Sequence, residues 1–195
     1  MLICGMTGSI AMGKSTTAAM FRRRGVPVYD ADATVHRLYQ GRVAPLIEAE
    51  FPGTTENGGV DRQKLAAIVL DDPDRLSRLE KLVHGLLVEE EKRFRDAVRL
   101  AGYRLAVVDI PLLFETGADR RVDFSVVVTA DESVQRERVM TRPGMSEEKL
   151  QAILGRQMPD RDKRRRAHFL IDTGFGLPAA ERQVAALLRA VASML

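Results

Sequence analysis

One eight-residue stretch constrains this chain more than any other. Gly8-Ser9-Ile10-Ala11-Met12-Gly13-Lys14-Ser15 fits the pattern G-x-x-x-x-G-K-[S/T] in full. The apolar run Leu2–Met6 precedes it and reads as a buried strand. Lys14–Arg24 follows and reads as a helix, with Gly25 as its C-terminal cap and Pro27 as its stop. A strand that feeds such a loop into a helix makes a phosphate cradle. Gly8 and Gly13 let the backbone turn and approach an anion with no Cβ in the way. Successive backbone N–H groups converge on phosphate oxygens at the positive end of the helix. Lys14 reaches the β- and γ-phosphates and Ser15 can ligate Mg²⁺. The phosphates of a bound nucleotide are therefore expected against Gly8–Thr16, with Ala11, Met12, Gly13 and Thr16 among the contacting residues.

The remainder alternates in the same way. Val26–Tyr29, Arg104–Ile110, Val122–Thr129 and Phe169–Asp172 read as strands, and Pro178–Leu195 reads as a closing amphipathic helix. Ala33–Gly102 is mostly helical, broken by a loop at Phe51–Asp61. Strands alternating with helices predict an α/β fold with a parallel sheet covered on both faces. Ligands of such sheets bind at the carboxyl ends of the strands. At 195 residues with 45% hydrophobic content, the chain fits one domain. Aromatic residues are only 5%, so the core must be built from Leu, Val, Ile, Ala and Met.

Composition excludes several classes. The net charge of +3 suits an anionic ligand without pointing to nucleic acid. A single cysteine, Cys4, allows neither a disulfide framework nor a cysteine zinc site and favours a reducing cytosol. The N-terminus lacks a basic region and an unbroken apolar core, so no signal peptide is expected. No apolar run approaches the roughly 20 residues of a membrane span.

Three further clusters bear on what receives the phosphate. Asp30 and Asp32 follow the second strand. A carboxylate there can orient an acceptor hydroxyl and take its proton; either aspartate can equally cap the helix that follows. The strand ending at Asp109 resembles a Walker B strand, whose carboxylate sits near the Mg²⁺ shell. The Arg-rich stretch from Val134 to His168 is largely a solvated face, but in a small kinase arginines here form a lid that neutralises charge during transfer. Arg138 and Arg142, four apart on one helix face, are the leading candidates; Arg136, Arg156 and Lys163 are weaker ones.

Together these pieces resemble the dephospho-CoA kinase family. Thr7–Ser15 (TGSIAMGKS) matches its TGGIGSGKS-like loop, Asp30-Ala31-Asp32 its DAD, and Pro111–Glu115 its PLLFE. Gln135, Arg138, Arg142, Gln157–Pro159, Lys163, Ala167 and Ile171-Asp172 match its later features, so the likeness spans almost the whole chain. The resemblance implies a three-layer P-loop NTPase fold with a five-stranded, mostly parallel sheet. It implies a core of residues 1–32, 103–130 and 167–195, a helical acceptor-binding insertion at 33–102 and a helical lid at 131–166. The activity implied is ATP-dependent phosphorylation of the ribose 3′-hydroxyl of dephospho-CoA, the last step of coenzyme A synthesis, with ATP and Mg²⁺ as cofactors. By the same resemblance Asp32 is the base or orienting residue, and Lys14 and the loop amides hold ATP. Arg138 contacts the nucleotide, Arg142 closes from the lid, and Ser15 and Asp109 serve Mg²⁺. His84, Leu112 and Leu113 meet the acceptor.

The chain departs from the family pattern at Ser9, Ala11 and Met12, at Gly85 in place of a proline after His84, and at His168 in place of an aspartate. Two other readings compete: a kinase for a different acceptor, such as a nucleoside or shikimate, and a regulatory NTPase. The second lacks a guanine-reading N-K-x-D motif. A cytoplasmic enzyme is expected, monomeric or weakly self-associating, with small-molecule substrates and neither nucleic acid nor membrane as partner.

Overall fold

The computed structural model describes residues 1–193. The chain runs β1 (Leu2–Thr7), α1 (Lys14–Arg23), β2 (Val28–Asp30), α2 (Ala31–Tyr39), α3 (Ala44–Glu50), β3 (Thr55–Glu56), β4 (Gly59–Val60), α4 (Arg62–Val69) and α5 (Pro73–Leu100). It continues through β5 (Leu105–Asp109), β6 (Phe124–Thr129), α6 (Glu132–Met140), α7 (Glu147–Leu154), α8 (Asp160–Arg166), β7 (Phe169–Asp172) and α9 (Leu177–Ala192). Met194 and Leu195, the end of the expected closing helix, lie outside the described residues. Two compact units are distinguished, Met1–Tyr29 with Ala97–Leu195, and Asp30–Asp96.

The first unit is built on a five-stranded sheet in the order β2-β5-β1-β6-β7, in which β5, β1, β6 and β7 pair in parallel. The α/β P-loop fold expected from the sequence is the fold observed. β5 and β6 are buried along their whole length, as near-continuous apolar strands covered on both faces must be. Alternation sorts their side chains. Val126 and Val128 join Cys4 and Met6 of β1, Phe21 of α1 and Val184 and Leu187 of α9 in one layer. Val127 faces the other way, onto Leu113, Phe114 and Ala118. Full burial of a side chain such as Phe21 contributes about 2–3 kcal/mol. Burial also pushes the Cys4 thiol far above its ordinary pKa, so it serves as a small core residue.

The second unit has its own core, made by Leu38, Val43, Ile47, Phe51, Leu65, Val69 and Leu79. β3 and β4 form a hairpin within the stretch expected to be an irregular loop. Its turn is Asn57-Gly58, both with positive φ (52° and 79°), the backbone that a tight two-residue hairpin turn requires. Among the described residues no helix is long and apolar enough to cross a membrane.

A buried polar network ties the segment after β5 to α8. The Glu115 carboxylate accepts from Met158 N–H at 2.8 Å and pairs with Lys163 at 3.1 Å. Lys163 is fully buried, so it is not the lid cation weighed from the sequence but an internal partner of Glu115. At the start of the same helix, Asp160 accepts from the Thr129 hydroxyl at 2.7 Å. Partial burial alone would raise the Glu115 pKa. The hydrogen bonds from Met158 and from its own amide, with Lys163, outweigh this and hold the carboxyl below its ordinary value.

Glu115→Gln should therefore destabilise the protein by about 3 kcal/mol at pH 7, because it leaves a buried ammonium without its counter-charge. A depressed folded-state pKa gives stability that is present above the unfolded value and lost as pH falls through the folded one. The gap between variant and parent should accordingly shrink on acidification below about pH 4.5. Urea unfolding at neutral and acid pH checks both; a gap that stays constant with pH would remove the charge from the explanation.

Candidate active site

The site follows from strand register. β1 and β5 lie side by side in parallel, with Met6 opposite Asp109. Their carboxyl ends therefore meet at one edge, and the glycine loop leaves β1 beside the Asp109 carboxylate. The Thr7 hydroxyl donates to the Pro111 carbonyl at 2.9 Å and fixes the start of the segment after β5. From the first residue of α1, Lys14 Nζ reaches Asp109 Oδ1 at 2.6 Å. Asp109 is 2% exposed. An ammonium has three N–H donors, so Lys14 can hold Asp109 and still address phosphate oxygens.

Two loop positions demand glycine. A Cβ on Gly8 would stand 2.5 Å from the Val128 carbonyl oxygen, a backbone atom that cannot give way. Gly13 has φ +89° and its Cβ would press on Thr173. Ala11 also takes a left-handed backbone, φ +60°, where the family pattern has glycine. Ser15 and Thr16 are exposed at the start of α1, and the Thr17 hydroxyl donates to the Gly13 carbonyl at 3.1 Å.

The remaining candidates fall in different settings. Arg138 of α6 donates to the Thr173 hydroxyl and carbonyl, both at 2.8 Å, and lies 3.5 Å from the Ala11 carbonyl. It thus joins the glycine loop to the turn after β7. Arg142 is exposed just after α6. Leu112 is partly exposed, whereas Leu113 is fully buried against Phe114, Ala118 and Val127; of the two, only Leu112 is available to a ligand. In the other unit, the Asp30 carboxylate accepts from Ala33 N–H at 2.9 Å and caps α2. Asp32 sits exposed in the first turn of that helix. The cap reading thus falls to Asp30 and leaves Asp32 out of that role. His84 is exposed on α5. His168 takes up the departure from the family's aspartate: its Nδ1 accepts from Ser125 N–H at 3.1 Å, so the ring supplies an acceptor to the backbone of β6.

The donor set suits Mg²⁺. Ser15 and Asp109 offer hard oxygen ligands, and the described residues contain no cluster of three or more His, Cys, Asp or Glu that could cage a metal. Mg²⁺ is commonly held by one or two protein ligands, with phosphates and water completing its shell.

Comparison with known proteins bears on the family of the chain. The family model described as dephospho-CoA kinase matches residues 2–178. Dephospho-CoA kinase of Rhodopseudomonas palustris (strain HaA2) is 55% identical over 194 residues, covering 100% of this chain and 98% of that one. That of Mesorhizobium japonicum is 57% identical over 188 residues, covering 96% and 95%. Among solved structures, TT1252 from Thermus thermophilus superposes with a TM-score of 0.81 at 34% identity, covering 100% of this chain and 97% of that one. A shikimate kinase from Acinetobacter baumannii, with a TM-score of 0.54 at 15% identity and coverage of 99% and 94%, shares the fold alone. With the loop, DAD and PLLFE segments all inside the matched region, this chain belongs to the dephospho-CoA kinase family.

Proposed function

We propose that this protein transfers the γ-phosphoryl group of ATP to the ribose 3′-hydroxyl of dephospho-CoA, releasing CoA and ADP. The observation that carries the reading is the formed glycine loop with Lys14 held on Asp109, in a chain of this family. Phosphoryl transfer needs little covalent chemistry from the protein; alignment and charge stabilisation do most of the work. The loop amides from Gly8 to Thr16 and Lys14 hold the β- and γ-phosphates. Ser15 and Asp109 are the residues that would hold Mg²⁺, which would neutralise charge developing on the phosphates. Arg138 lies along the nucleotide, and Arg142 closes from a lid spanning residues 131–166 to neutralise charge on the transferred group.

Acceptor binding is assigned to the helical insertion at 33–102, with His84, and to Leu112. Asp32, relieved of capping by Asp30, accepts the proton of the acceptor hydroxyl or orients it. The protein acts in the cytoplasm, as a monomer or weak homo-oligomer, on small molecules alone.

Two measurements test this. In a coupled ADP-release assay with a panel of acceptors, dephospho-CoA should stimulate turnover well above the ATP-only background, while shikimate and nucleosides should not. Stimulation by another acceptor alone would overturn the assignment. Asp32→Asn should lower kcat by about 10²–10⁴-fold with the Kd for ATP nearly unchanged, whereas Asp30→Ala should cost about 1 kcal/mol of stability and spare turnover. Retained turnover in Asp32→Asn would remove the residue from the chemistry.

A further inference from the structure

Two glutamines take the two backbone polar groups of one residue, Ile10, in the phosphate loop. Gln135 of α6, 5% exposed, donates from Nε2 to the Ile10 carbonyl at 2.8 Å. Gln157, in the turn between α7 and α8, accepts the Ile10 N–H on Oε1 at 3.2 Å. The orientation of each side-chain amide follows from its partner. A backbone carbonyl can only accept, so it must face the Gln135 nitrogen; a backbone N–H can only donate, so it must face the Gln157 oxygen.

The neighbouring carbonyls are held as well. Arg138 approaches the Ala11 carbonyl at 3.5 Å, and the Thr173 hydroxyl donates to the Met12 carbonyl at 2.9 Å. Three consecutive carbonyls, of Ile10, Ala11 and Met12, are thus each taken by a side chain. A trans peptide is planar, and its N–H points opposite to its C=O. Holding the carbonyls of Ile10 and Met12 therefore aims the amides of Ala11 and Gly13 the other way. Left-handed backbone at Ala11 and Gly13 gives the concave run of amides that binds anions.

The glutamine mounts are themselves fixed. Gln135 lies on a helix capped by Asp131, and Gln157 precedes Met158, whose N–H is held by Glu115. The Ala11 side chain packs with Val139 and Leu150, one from α6 and one from α7. The two glutamines thereby connect α6 and the turn between α7 and α8 to a single residue of the loop.

We propose that Gln135 and Gln157 are positioning residues for the phosphate loop, Gln135 acting only as a donor and Gln157 only as an acceptor, and that together they set the affinity of the loop for the ATP phosphates. This rests on the ATP-binding reading above.

Polarity gives the test, because glutamate keeps the acceptor and loses the donor. Gln135→Glu, Gln157→Glu, Gln135→Met and Gln157→Met are compared by calorimetric ATP affinity, by KM for dephospho-CoA and by melting temperature. Gln135→Glu sets a carboxylate against the Ile10 carbonyl and should weaken ATP by at least about tenfold. Each Met variant, lacking one hydrogen bond of about 1 kcal/mol, should weaken it by about fivefold. Gln157→Glu should weaken it least of the four. The KM for dephospho-CoA should move less than twofold in all of them. Should Gln135→Glu fail to fold, Gln157→Glu against Gln157→Met carries the same comparison. Equal losses for the Glu and Met variants at position 157, or lowered melting temperatures with unchanged ATP affinity, would overturn the proposal alone. Failure of the unaltered protein to bind ATP would overturn the ATP reading, and this proposal with it.

Discussion

The contact between Lys14 and Asp109 organises the rest of this structure. A carboxylate that is 2% exposed is costly to desolvate, and a nearby ammonium offsets that cost only at short range. The pairing at 2.6 Å is available because β1 and β5 are parallel neighbours and end together. The loop from Gly8 to Gly13 then has a fixed span to close between the end of β1 and the start of α1. Gly8 passes so close to Val128 that only a hydrogen fits on its inner side. The parallel β6 strand thus sets the floor of the loop, β5 supplies its counter-charge, and the turn after β7 supports its far end through Thr173. Every strand from β5 to β7 contributes one constraint to a site whose ligand-facing atoms belong largely to the backbone of the loop.

Much of this was legible in the sequence because the chemistry that demands it is local. A strand, two glycines at fixed spacing and a lysine before a helix leave few alternatives, and the apolar runs of β5 and β6 declare a covered parallel sheet. The hairpin at 55–60 was missed, although Asn57-Gly58 is the dipeptide that the turn favours. Its flanking strands have only two residues each, too short for alternation to register. The choice between Asp30 and Asp32 could not be made from spacing, since both stand near the helix start; backbone geometry settles the cap on Asp30. Lys163 was misjudged for a different reason. Surrounded by arginines in the chain, it reads as one more candidate lid cation. Its burial depends on Glu115, 48 positions earlier, and no short-range pattern conveys that.

The drift of the loop's variable positions has a physical account of the same long-range kind. Left-handed backbone at a non-glycine residue costs roughly 1–2 kcal/mol, and Ala11 carries it at φ +60°. Its methyl group is buried with Val139 and Leu150, and a buried carbon of this kind returns about 0.8 kcal/mol. That burial offsets part of the backbone cost, which is how alanine is accommodated where the pattern has glycine, with Val139 and Leu150 packed against its methyl group. His168 follows similar logic: the aspartate of the family pattern is absent, and an imidazole nitrogen supplies the acceptor that the Ser125 amide requires. At each position the side chain present meets a demand of its own surroundings, apolar packing at Ala11 and an acceptor for the Ser125 amide at His168. The fixed positions of the loop answer to the phosphate; the variable ones answer to the elements packed around it, and that is why their identities make sense only in three dimensions.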